Sequence, residues 1–153
     1  MTGVTVNGGP ADGGAKKPSL LFVCVENSNR SQMAEAFARM LGGDAVIAAS
    51  AGSRPSGIVN PKAIATMAER GYDLTTHRSK SVEDACATAG NPRWTYVITM
   101  GCGDACPWVP AENRDDWPLP DPRELDADGV SAVRNEVERR VKALFHAQHI
   151  NHF

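Results

Sequence analysis

Apolar residues along this chain fall into two patterns: short unbroken runs, and stretches spaced by three and four. Leu20-Leu21-Phe22-Val23 is unbroken, as a strand buried on both faces of a parallel sheet reads. Polar residues follow Cys24. Then Met33, Phe37, Met40 and Leu41 share one face of a helical stretch over residues 31–41, which Gly42-Gly43 ends. The first unit is therefore strand, tight polar loop, helix. Ala45-Val46-Ile47-Ala48-Ala49 predicts a second strand. After a loop with Gly52, Pro55 and Gly57, Asn60-Pro61 opens a helix, with proline in the first turn where its missing N–H is tolerated. That helix carries Ile64, Met67 and Ala68 and stops at Gly71. Residues 73–80 read as a polar loop, Ser81 as the cap of a short helix, and residues 94–100 as a third strand. A Cys/Gly/Pro-rich loop spans 101–125. Val130, Val133, Val137, Val141, Leu144 and Phe145 mark a long C-terminal helix.

Strands alternating with helices predict an α/β fold, a parallel sheet covered on both faces. Ligands of such sheets sit at the C-terminal ends of the strands. Cys24 and Gly101-Cys102 directly follow strands, so they are expected on one rim. No internal repeat is visible. Residues 1–17, rich in Gly with Pro, Ala and Asp, read as a disordered tail, and residues 18–153 as one catalytic domain.

Composition narrows the function classes. Hydrophobic residues make up 42% of the 153, enough for one core. The net charge of -2, with no Lys/Arg run beyond two, argues against a nucleic-acid surface, so an anion site must be built locally from a few donors. No apolar run reaches the length of a membrane span, and the first residues lack the apolar centre of a signal peptide. The expectation is a cytoplasmic protein away from membranes, where thiols stay reduced. Cys24, Cys86, Cys102 and Cys106 are then candidates for chemistry or metal rather than disulfides.

Cys24-Val25-Glu26-Asn27-Ser28-Asn29-Arg30-Ser31 joins the first strand to the first helix. A loop in that position turns several backbone N–H groups into one concavity, and the helix dipole adds positive potential. Residues 25–31 are therefore the expected oxyanion cradle. Arg30 can add two parallel hydrogen bonds, Cys24 sits at the mouth where the same field favours a thiolate, and Ser31 can donate to the sulfur. The plainer alternative is a buried cysteine followed by a capping loop; the strand before, the helix after and the adjacent serine weigh toward chemistry. Glu26 opposes anion binding and is expected to point outward.

Asp121-Pro122 offers a general acid, although residue type alone favours an ordinary turn. Cys102 and Cys106, four positions apart, suit disulfide exchange with Cys24; half-buried loop thiols and a metal pair are the alternatives. His77, His146, His149 and His152 show no zinc-like spacing to the cysteines, so no metal site is expected. Cys86 reads as packing, and Asn60, His77, Arg78 and Lys80 as solvated loop.

Taken together, these segments resemble the low-molecular-weight protein tyrosine phosphatase superfamily, in its arsenate reductase branch. The resemblance rests on Leu20 to Cys24 with Asn27, Ser28, Arg30 and Ser31; Gln32-Met33-Ala34-Glu35; Val59-Asn60-Pro61-Lys62-Ala63-Ile64; His77-Arg78-Ser79-Lys80-Ser81; and Asp121-Pro122. It spans roughly residues 19–146. It implies a three-layer fold with a four-stranded parallel sheet flanked by helices. Cys24 is implied as nucleophile, Arg30 as oxyanion clamp, Asp121 as general acid, Asn27 as the residue that shapes the loop, and Ser31 as thiolate support. Arg123-Glu124-Leu125 stands where tyrosine phosphatases of this type carry aromatic residues, while Gln32 to Glu35 and the Cys102/Cys106 pair look like the reductases. The implied substrate is arsenate. The implied reductant is thioredoxin, acting through Cys102 and Cys106, or a small thiol such as mycothiol or glutathione with a glutaredoxin-type partner. No flavin, nicotinamide or metal cofactor is implied. Thioredoxin-coupled members usually have Cys at the position of Asn29, Gly at that of Glu26, and a wider gap between the relay cysteines. The rival functions are a phosphatase, in which water resolves the adduct, and a non-enzymatic thiol sensor of arsenic or oxidation.

Overall fold

A computed structural model describes residues 17–101 and 108–148. The tail expected over residues 1–17, all but Lys17, and both Cys102 and Cys106 lie outside the described residues. Four parallel strands run in the order β2-β1-β3-β4: β1 Ser19–Cys24, β2 Ile47–Gly52, β3 Trp94–Thr99 and β4 Ala111–Asp116. Four α-helices join or flank them, α1 Arg30–Gly42, α2 Pro61–Ala68, α3 Val82–Thr88 and α4 Ala127–Ala147. None of these is long and apolar enough to cross a membrane.

The unbroken apolar run of β1 has a direct cause. β1 lies between β2 and β3, pairing Cys24 with Gly52 on one side and Val23 with Thr99 on the other. Side chains alternate across a strand, and both faces here are dry. Leu20, Phe22 and Cys24 join Met33, Phe37, Val137, Val141 and Phe145 of α1 and α4. Leu21 and Val23 join Ala51, Val82, Trp94 and Val97 on the other face. Phe22, Phe37, Trp94 and Phe145 are all under 2% exposed; truncating any of them to alanine should cost about 3–5 kcal/mol.

Side-chain caps anchor the helix starts, at Ser81 as expected and also at Asn60 and Asp126. Asn60 Oδ1 accepts from Lys62 N at 2.8 Å, Ser81 Oγ from Asp84 N at 3.0 Å, and Asp126 Oδ1 from Gly129 N at 2.9 Å. The pattern is corrected in two places. Ala45, expected to open the second strand, instead closes a 3-10 turn over residues 43–45, and β2 begins at Ile47 and runs on past Ala49 to Gly52. Part of the stretch read as a 101–125 loop is β4, with sequence AENRDD and a largely exposed surface. As an edge strand it needs no apolar run, and its charges suit an edge that must not pair with other molecules.

A candidate oxyanion site at the end of β1

Cys24 ends the central strand and is 3% exposed. The loop that follows is shaped by where its carbonyls go. Cys24 O accepts from Ser53 N (3.1 Å), Val25 O from Arg54 N (2.8 Å), Glu26 O from Ser56 N (3.1 Å) and Ser28 O from Asn60 N (3.0 Å). In a trans peptide the carbonyl and the next N–H point opposite ways. Tying these carbonyls outward to residues 53–60 leaves the following N–H groups turned inward, around a cavity of about 190 Å³. Gly52 is required at the end of β2, because a Cβ there would stand 2.7 Å from Val25 O.

The Cys24 sulfur sits among donors. Ser31 Oγ lies 2.9 Å from Sγ, and Asn27 N donates to Sγ at 3.2 Å. Asn27 adopts φ 53°, the left-handed region that asparagine tolerates better than most residues. Its side chain donates to Ser31 Oγ at 2.8 Å, and its Oδ1 accepts from Lys80 N and from Gln32 Nε2, each at 3.0 Å. The cradle predicted over residues 25–31 is thus assembled as one unit: Val25, Glu26, Ser28, Asn29 and Arg30 line the cavity, with Asn27 and Ser31 fully buried around the sulfur.

Arg30 enters from the first turn of α1, its side chain 9% exposed. Nη1 donates to Leu119 O at 3.0 Å, and Nη2 lies 3.9 Å from Asp121 Oδ2. Buried Nε has no hydrogen-bond partner among the described residues. An unpaired buried donor costs about 1–3 kcal/mol. Gly101 backs this guanidinium: its φ is +92°, and a Cβ there would stand 2.6 Å from Nη1. The expected shared rim therefore holds for Cys24 and Gly101.

Asp121 makes a turn and also reaches the cavity. Oδ1 accepts from Arg123 N at 2.9 Å, an ordinary turn bond, while Oδ2 faces Arg30 on the cavity wall. Glu26 does not leave the cavity as expected: it lines the wall, where Arg123 Nη1 donates to its Oε2 at 2.9 Å. Sequence reasoning gave no role to Arg54 and Arg123, which also line the cavity. Long-range placement is their only signal.

A buried polar cluster stands behind the loop, and it corrects the reading of His77 and Lys80 as solvated. Their side chains are 6% and 13% exposed, around the Glu35 carboxylate at 5%. Glu35 accepts from Ser50 Oγ at 2.6 Å and Arg39 Nε at 2.7 Å, with His77 Nδ1 and Lys80 Nζ each 3.8 Å away. His77 also contacts Gln32 Oε1 through Nδ1 (2.9 Å) and the Tyr72 hydroxyl through Nε2 (2.6 Å). A neutral imidazole with its proton on Nδ1 satisfies both. Burial pushes the His77 pKa down against the pull of Glu35, lowers that of Lys80 and raises that of Tyr72. Gln32 Nε2 continues the chain to the Asn27 carbonyl at 3.0 Å, so this cluster supports the loop from behind. Asn60 is a cap, and Cys86 packs partly buried against the second core face. No group of three His, Cys, Asp or Glu side chains is placed to hold a metal among the described residues.

Comparison with known proteins agrees with this geometry. Residues 19–105 match the low molecular weight phosphotyrosine protein phosphatase family. A glutaredoxin arsenate reductase of Synechocystis is 39% identical over 128 residues, spanning 82% of this chain and 94% of that protein. The solved structure of an arsenate reductase in the phosphate binding state superposes with a TM-score of 0.75 at 37% identity, covering 85% of this chain and 98% of that one. A thioredoxin-dependent arsenate reductase of Corynebacterium glutamicum superposes with a TM-score of 0.69 at 33% identity, covering 89% and 65% respectively.

Proposed function

This chain belongs to the low molecular weight phosphotyrosine protein phosphatase family, and we propose that it works as an arsenate reductase, with Cys24 as its nucleophile. The observation that carries the assignment to this cavity is the Cys24 sulfur, held by Ser31 and the Asn27 N–H, in a cavity that the Arg30 side chain also lines. Thiol, amide cradle and guanidinium converge where a tetrahedral dianion fits.

The chemistry follows from that placement. Arsenate is held by the inward amides of residues 25–31 and by Arg30. The Cys24 thiolate attacks arsenic, one arsenic–oxygen bond breaks, and Asp121 supplies the proton to the departing oxygen. A second thiol then resolves the adduct. The sulfur–arsenic electron pair leaves with arsenic, which departs as arsenite, and two thiols end as a disulfide. The electrons come from thiols.

Two donors fit. In one, Cys102 and Cys106 relay the disulfide to thioredoxin; in the other, a small thiol with a glutaredoxin-type protein takes it directly. The Corynebacterium glutamicum relative is named for the first route and the Synechocystis relative for the second. Phosphate monoester hydrolysis is the second reading, supported by family membership and by a cradle that binds phosphate and arsenate alike. A sensor that only binds arsenite has no use for Arg30 and Asp121 side by side.

The test is arsenite release from arsenate by purified protein, supplied separately with thioredoxin and its reductase or with a small thiol and its redoxin. Cys24→Ser and Cys106→Ser variants run beside the parent. Turnover needing Cys24, Cys106 and thioredoxin supports the relay; turnover needing Cys24 and a small thiol, but not Cys106, supports direct transfer. No arsenite with any donor, alongside brisk hydrolysis of an aryl phosphate, would replace the reductase with a phosphatase.

A further inference from the structure

Glu26 and Arg123 meet across the mouth of the Cys24 cavity. Glu26 stands two residues past the thiol, and Arg123 two residues past Asp121. They are 97 positions apart in sequence, and 2.9 Å separates Nη1 from Oε2. The other arm of the Arg123 guanidinium lies 3.8 Å from Asp121 Oδ2, itself 3.9 Å from Arg30 Nη2. Four charges of alternating sign thus ring the opening, in the order Glu26, Arg123, Asp121, Arg30. Both outer side chains line the cavity and are partly open to solvent, at 39% for Glu26 and 53% for Arg123.

A bare carboxylate beside an anion cradle repels the anion it should hold. Pairing with Arg123 offsets that repulsion and holds both side chains together on the cavity wall. An inorganic oxyanion carries no group that has to pass them. An ester brings an organic group that has to project past the pair.

We propose that the Glu26–Arg123 bridge is a specificity latch, which makes this cavity favour inorganic oxyanions over organic phosphate or arsenate esters. This rests on the Cys24 cavity being the oxyanion site, and on nothing about the electron donor. An ion pair this exposed holds its closed form by at most about fivefold, so that is the ceiling on the discrimination the latch supplies. It should weaken at high ionic strength, as exposed pairs do.

The experiment measures Kd for inorganic phosphate and for phenyl phosphate by calorimetry, in a Cys24→Ser background where neither ligand turns over. Glu26→Ala, Arg123→Ala, their double variant and Glu26→Gln are compared. The quantity read is the ratio of the phenyl phosphate Kd to the phosphate Kd. The latch predicts that both alanine variants lower this ratio by about 1.5- to fivefold, that the double variant lowers it no further, and that Glu26→Gln, which keeps the shape and a hydrogen bond, sits nearer the parent. Molar salt should move the parent toward the alanine variants and leave theirs unchanged. Simple electrostatics would shift phosphate affinity in opposite directions for the two alanine variants and carry phenyl phosphate with it, leaving the ratio fixed. A fixed ratio, opposite shifts of the ratio, or an additive double variant overturns the latch. A protein that binds neither anion loses both the latch and the proposed site. One that binds both but releases no arsenite loses only the reductase reading.

Discussion

The Asn27 carboxamide donates to the Ser31 hydroxyl at 2.8 Å, and that hydroxyl lies 2.9 Å from the Cys24 sulfur. Because the Ser31 oxygen already accepts from Asn27, its own hydrogen is free to point at the sulfur. Asn27 thereby sets the direction of a proton it does not carry.

Replacing Asn27 separates these duties. Asn27→Ala loses the left-handed preference and the bonds to Ser31 and Gln32; we expect about 2–3 kcal/mol less stability in urea titrations and at least about a tenfold lower kcat. Asn27→Asp keeps the turn and accepts from Lys80, yet cannot donate to Ser31. Its carboxylate is buried, so it should lose stability as well, and it should still show the lower kcat. Full activity in the aspartate variant would remove Asn27 from the orientation of Ser31.

Gly101 predicts a loss at a distance in sequence. A methyl group there falls 2.6 Å from Arg30 Nη1, on a backbone at φ +92°. Gly101→Ala should cost about 1–3 kcal/mol in strain. By displacing the guanidinium it should also weaken phosphate binding by about tenfold or more. Calorimetric titration with phosphate reads the second effect, and unaltered affinity would show that the guanidinium does not clamp the anion.

His77 gives stability a pH dependence of known sign. Burial, reinforced by Arg39 and Lys80 and opposed by Glu35, holds its folded pKa below the ordinary 6.5. As pH falls below about 6.5, the unfolded chain takes up a proton that the folded protein resists, so this contribution is complete above that pH and is lost below it. Urea midpoints from about pH 7.5 down to 5 should decline with a His77 component no steeper than about 1.4 kcal/mol per pH unit, the limit for one proton. His77→Gln should decline more gently over the same range; identical profiles would show that His77 does not contribute.

The Glu35 cluster should respond to single and paired changes differently. Glu35→Ala strands Lys80 without its buried counter-charge and should cost about 3–5 kcal/mol. Glu35→Leu combined with Lys80→Met should cost less than the sum of the single changes, because each alone leaves an uncompensated charge. Strict additivity in thermal or urea unfolding would show the two charges to be uncoupled.

What the sequence made legible was local. The run before Cys24, the helix start at Asn60-Pro61, the cap at Ser81 and the periodic valines of α4 all declare themselves through nearest neighbours or one helical turn. β4 did not, since an edge strand covered by water can be built from AENRDD and carries no alternation to read. Nor did the burial of His77 and Lys80: both look like loop residues until Glu35, across the fold, is seen as their shared counter-charge. Asp121 illustrates the limit most clearly. One oxygen makes the turn that Asp-Pro announces, and the other faces a guanidinium contributed 91 residues earlier, a relationship no local pattern encodes.

The distance between Arg30 and Leu119, 89 residues, also imposes an order of assembly on a chain made from its N-terminus. The sulfur and its immediate donors, Asn27 and Ser31, are synthesised together, and residues 53–60 that tie back the loop follow soon after. Leu119, which anchors the guanidinium, and Asp121 arrive only after three-quarters of these 153 residues have been made. A nascent chain therefore carries the thiol well before the groups that share its cavity, so reactivity toward small oxidants should appear earlier than catalysis.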